Sequence, residues 1–119
     1  MGNELYTSSI ATQSLTHFLG EPSRIKHLRV LDESMAATIY AGDIITVDTG
    51  NKKPVNDRCF LISVCGSVRV GRLLYATDNL LRVSSDNPDK TLYPDELVND
   101  EPSFTILGRV IERRGDGGL

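Results

Sequence analysis

The chain has 119 residues, 39% of them hydrophobic, with 13 basic and 16 acidic side chains and a formal net charge of -3. That is enough chain for one domain with its own core, and the charge balance excludes the basic surface that a free-standing nucleic-acid binder needs. No apolar run reaches the roughly 18 residues of a membrane-spanning helix, and MGNELYTSSI lacks the basic start and apolar stretch of a signal peptide.

Taken in chain order, TQSLTHFL at 12–19 predicts a short helix: Leu15, Phe18 and Leu19 share a face, and Gly20, Glu21 and Pro22 stop it. Residues 1–23 are therefore expected to form an N-terminal arm. A first strand is expected over 24–31, a turn or single helical turn over 36–43, a second strand over 44–48 and a loop over 49–57. CFLISVC (59–65) and VRVGRLLY (68–75) predict a hairpin turning at Cys65, Gly66 and Ser67. In its first arm Phe60, Ile62 and Val64 share a face; in its second, Val68 and Val70 oppose Arg69 and Gly71. Another strand is expected over 79–85, ended by Asp86-Asn87-Pro88, and a last one over 104–113. The Gly-rich stretch 114–119 reads as a disordered tail. Short strands with hardly any helix imply a mostly β domain over 24–113, curled so that the strands bury one another.

The two cysteines, Cys59 and Cys65, would stand roughly 20 Å apart along one strand, beyond disulfide reach. Free thiols suit a reducing compartment, so the expected location is cytoplasmic. His17 and His27 are isolated and no CxxC occurs, so neither a metal site nor a cofactor is expected.

VLDESMAATIYAGDIITVD (30–48) places Ser34 ahead of a Gly-Asp turn and a strand. It resembles the V-x-G-D-S-M-x-P-T-I-x-x-G-D-x-V-x-V-D signature of the LexA-like serine peptidases. That family comprises the C-terminal domains of LexA and lambda-type phage repressors, with the UmuD proteins. The likeness continues in order through FLISVCGSVRVGRLL (60–74), VSSDNPDKTLYP (83–94) and ILGRVIER (106–113). It implies a compact fold of twisted, partly barrel-like antiparallel sheets. It also implies a serine–lysine dyad, in which a desolvated neutral lysine takes the serine proton. On that resemblance Ser34 stands at the nucleophile position, and the backbone amides of Glu33 and Ser34 would form the oxyanion hole. The family's substrate is its own chain, cut at Ala-Gly or Cys-Gly when the protein docks on a RecA filament.

Several positions depart from the pattern. Gly71 stands where the general-base lysine belongs, and glycine cannot accept a proton. The other candidate bases are Lys26, His27, Lys52, Lys53 and Lys90, of which Lys52 and Lys53 lie in a polar loop. Asp32-Glu33 replaces Gly-Asp, Ala37 replaces proline, and the dipeptides Ala41-Gly42 and Cys65-Gly66 follow Ser34 instead of preceding it. Structural roles are expected for Met35 in the core, Asp43 and Asp48 at turn and strand end, and Tyr93-Pro94 as a loop anchor. Arg114-Gly115-Asp116 is a coincidental tripeptide. Arg69, Arg72 and Arg82 read as a solvated stripe on one sheet face.

The expected function is the C-terminal regulatory and dimerisation domain of a LexA- or phage-repressor-like transcription regulator with a degenerate self-cleavage site. A homodimer would reach DNA only through an N-terminal module, with the last strand and the segment before it as its pairing surface. A RecA filament is the partner that the resemblance implies, and the degenerate site puts it in doubt. The rivals are a still-active self-cleaving serine peptidase with another base, and a free-standing UmuD-like accessory protein that binds a DNA polymerase. No membrane partner is expected.

Overall fold

The computed structural model describes residues 10, 22–77, 79–99 and 103–115. The helix expected at 12–19 lies outside them, as do residues 116–119 of the expected tail. Seven strands follow in order: β1 (Ile25–Arg29), β2 (Ile44–Asp48), β3 (Arg58–Val64), β4 (Ser67–Thr77), β5 (Leu80–Ser84), β6 (Glu96–Asn99) and β7 (Phe104–Arg114). They form one sheet in the order β1-β2-β7-β3-β4-β5-β6, with every neighbouring pair antiparallel. The expected mostly β fold is the fold observed, and the described residues contain no α-helix. None of them forms a helix long and apolar enough to cross a membrane.

The β3–β4 hairpin closes tightly. Val64 pairs with Ser67, and Cys65 and Gly66 between them have φ of 52° and 85°, the two positive angles of a type I′ turn. Cys65 therefore belongs to the turn and does not extend the strand that carries Cys59. Both are free thiols, as expected.

Alternation along this hairpin divides the core. Leu61, Val68 and Val70 join Ile10, Leu28, Val30, Met35, Ile39, Ile45 and Val47 in the larger buried cluster. On the opposite face Phe60, Ile62, Leu73, Val83 and Val98 form the second. Because β3 has core on both sides, its run of apolar residues is continuous where a half-exposed strand would alternate. The same alternation corrects the arginine stripe. Arg69 pairs with Ile62 and Arg72 with Cys59, so these two side chains leave β4 on opposite faces. Each has an acidic partner: Arg69 with Glu96, Arg72 with Asp86 and Asp57, and Arg82 with Asp95.

One polar atom breaks the economy of this packing. Ser85 follows β5 and is 3% exposed, and its hydroxyl has no hydrogen-bond partner among the described residues. A buried unsatisfied hydroxyl costs about 1–3 kcal/mol of desolvation. Ser85→Ala is accordingly expected to leave stability unchanged or to raise it by about 1 kcal/mol in urea unfolding; a loss of that size would show a hidden partner.

Candidate functional site

Ser34 sits in the turn between β1 and β2 and is 5% exposed. One carboxylate oxygen of Asp32 organises it: Oδ1 accepts the Ser34 amide at 3.3 Å and the Ser34 hydroxyl at 3.0 Å. The amide contact is an Asx turn, a conformation that Asp supports locally and the glycine of the resembled signature cannot. Beyond the serine, Met35 O accepts from Thr38 N at 2.7 Å and Ile39 N at 2.9 Å, closing the expected single helical turn. Met35 and Ile39 both point into the larger core cluster, which anchors the turn and fulfils the core reading of Met35.

A second segment fastens the turn from outside. Asn87 donates its backbone N–H to Ser34 O at 3.0 Å and its side-chain amide to Glu33 O at 2.9 Å. Thr38 Oγ1 donates to Asp86 Oδ2 at 2.5 Å, while Glu33 Oε2 accepts from Ala41 N at 2.8 Å. Asp86 and Asn87 follow directly on β5, whose last residue Ser84 pairs with Arg72, the neighbour of Gly71. The fold thus joins the Ser34 turn to the open end of the β4–β5 hairpin through Asn87, Asp86 and Arg72. Three segments distant in sequence meet there, while Gly71, next to Arg72 on β4, faces Val83 and Ile62 of the second core cluster.

Gly71 pairs with Phe60. A Cβ at this position would stand 2.8 Å from Val83 Cγ1 and 3.3 Å from Ile62 Cδ1, so the start of any side chain there is already filled by the second core cluster. The remaining candidate bases are spread elsewhere. Lys26 is buried on β1 and lines a shallow cleft with Pro22, Arg24, Thr49, Gly50 and Leu107, away from the serine turn. His27 alternates with it and is exposed, as are Lys52 and Lys53. Lys90 lies nearest in chain to the Asn87 clamp, but its ammonium donates to Ser85 O at 2.7 Å and Asp95 Oδ1 at 3.1 Å.

The strongest electrostatic feature is the support under the turn. Arg72 donates Nε to Asp86 Oδ1 at 2.8 Å and Nη2 to Oδ2 at 2.7 Å, and Nη1 reaches Asp57 O at 3.1 Å and Oδ1 at 3.3 Å. The hydrogen-bonded guanidinium holds the Asp86 carboxyl below the usual range, and the carboxylate keeps Arg72 charged. Sequence reading missed this pair, although Asp86 stands in one of the quoted segments and Arg72 in another. Burial pushes the thiol of nearby Cys59 up, so it is no ready nucleophile. Asp43 caps Tyr40 N at 2.9 Å and Asp48 holds Arg24 at 2.6 Å; both are structural. No group of three or more His, Cys, Asp or Glu among the described residues could hold a metal ion.

The site is a buried serine on a capped turn, docked against a β-hairpin of an antiparallel sheet. A model of the Peptidase S24-like family matches residues 4–111, and the chain belongs to that family, the LexA- and UmuD-like serine peptidases. The match takes in residues ahead of β1, where Ile10 is buried in the larger core cluster and bridges to Val30. A search of curated proteins gives no match.

Proposed function

We propose that this domain is the regulatory and dimerisation part of a LexA- or phage-repressor-like transcription regulator whose self-cleavage site no longer cuts. The observation that carries the reading is Gly71. The position that should supply the amine has no side chain, and its Cβ direction runs into Val83 and Ile62. Among the described residues the Ser34 hydroxyl has a carboxylate partner and no basic nitrogen. An unactivated serine hydroxyl is a weak nucleophile, and loss of one member of such a unit removes several orders of magnitude of rate. What remains useful is the rigid β scaffold, which can hold two copies together and place attached DNA-binding modules on a palindromic site.

The pairing surface we assign is the outward face of β7. This strand lies between β2 and β3, but residues 104–109 pair with β3 and residues 109–114 with β2. Beyond Arg109 the edge on the β3 side therefore has no strand partner among the described residues and adjoins that face. Ile111 on its C-terminal half is 53% exposed. Sedimentation at micromolar concentration is expected to give a dimer that Ile111→Asp dissociates; a monomeric wild type overturns the pairing. A fluorophosphonate is expected to leave Ser34 unlabelled from neutral to strongly alkaline pH. Labelling that disappears in Ser34→Ala would show a working base and return the domain to the active peptidases.

A further inference from the structure

The partner of the Ser34 hydroxyl also takes the serine's own amide. In acyl transfer the oxyanion is bonded to the carbon that the serine oxygen has attacked, and it accepts from backbone amides such as that of the serine. An acceptor atom within reach of both the serine Oγ and the serine N therefore stands in the oxyanion's space. Asp32 Oδ1 meets that condition, at 3.0 Å from Ser34 Oγ and 3.3 Å from Ser34 N.

We propose that Asp32 is a built-in plug of the oxyanion site, an autoinhibitory contact distinct from the missing base. The inference rests on the reading that Ser34 occupies an acylating-serine position, and it concerns the other half of the machinery. The carboxylate removes the amide donor. It also places a fixed negative charge beside the atom where a second would form, at a serine that water scarcely reaches to screen. The resembled signature has glycine at this position, which leaves the same amide open. Restoring a base alone therefore cannot restore catalysis, because the developing oxyanion meets a like charge where it needs a donor.

Phenylboronic acid tests the plug without the base. Boron accepts the Ser34 Oγ lone pair, the B–O bond forms, the O–H bond breaks and its proton goes to buffer. The resulting tetrahedral boronate is an anion whose hydroxyl seeks the Ser34 amide. Binding is followed by boron NMR and by the Ser34 amide resonance in wild type, Asp32→Gly and Asp32→Asn. Asp32→Gly is expected to bind roughly 10- to 100-fold more tightly than wild type, and the gain should vanish in Asp32→Gly/Ser34→Ala. Asp32→Asn keeps the shape of the cap and loses only the charge. It is expected to bind between the two, and decides the matter if the glycine variant is poorly folded. Equal responses of wild type and folded Asp32 variants, whether binding or none, overturn the plug and leave Asp32 as a turn residue only. That result would leave the loss of the base untouched, since wild-type fluorophosphonate labelling judges it separately.

Discussion

Gly71→Lys is expected to lower the free energy of unfolding by about 1–3 kcal/mol and to leave Ser34 unreactive toward a fluorophosphonate. A lysine stem begins with a Cβ that would lie 2.8 Å from Val83 Cγ1 and 3.3 Å from Ile62 Cδ1. Val83 and Ile62 are both 0% exposed and close-packed with Phe60, Leu73 and Val98, so neither can move aside without disturbing the cluster. Overpacking therefore accompanies any attempt to put the base back. Val83→Ala alone leaves a cavity and also destabilises. Combined with Gly71→Lys it provides the room the stem needs, so the double variant is expected to be more stable than the sum of the singles. A coupling of about 0.5–3 kcal/mol in urea unfolding is the expected sign that the two positions share one space. Strict additivity would show that a side chain at position 71 leaves the sheet by another route. Reactivity is expected only when Asp32→Gly is added, since base and oxyanion site are blocked by different residues.

The strands that the sequence announces are those with a two-sided or alternating apolar pattern. β2 has the predicted bounds, and β3, β4, β5 and β7 fall within a few residues of expectation. β6 is the strand that went unseen. Of Glu96, Leu97, Val98 and Asn99 only Val98 is buried, because this is an edge strand whose remaining residues face water, and such a segment carries no alternation to detect. Met35 was legible as a core residue, and Ser34 and Gly71 could be singled out as candidates because the motif around each is local or a short segment away. The Asp32 contact was not: its residue type was visible as a departure, but the direction of a carboxylate two residues before the serine is set by the turn. The Arg72–Asp86 pair joins positions 14 residues apart that come together only once β4 and β5 pair. Pairwise electrostatics of that kind depends on register, which composition and periodicity do not encode.

Asp86→Ala is expected to destabilise the fold by about 2–3 kcal/mol at neutral pH, more than the fraction of a kcal/mol typical of an exposed ion pair. The Asp86 and Arg72 side chains are 16% and 25% exposed, and the pair is bidentate, so its removal strands a guanidinium that keeps only its contacts with Asp57. Asp86 also accepts from Thr38, so its loss frees the segment that carries Ser34 and Met35. Their amides should exchange faster with solvent in the variant, while those of β2 should not. The pH dependence has a definite sign. The Asp86 carboxyl titrates below its usual range in the folded chain, chiefly through the hydrogen bonds from Arg72, and near pH 4 when unfolded. Its stabilisation is fully present above about pH 4 and is lost as pH falls through the folded value. Asp48, held low by Arg24, loses stabilisation in the same direction in wild type and variant alike, so it cancels from their difference. That difference should therefore shrink steadily below about pH 4 in paired urea titrations. A gap that stays constant down to acid unfolding would mean that the carboxylate's charge is immaterial and that Asp86 acts through packing alone.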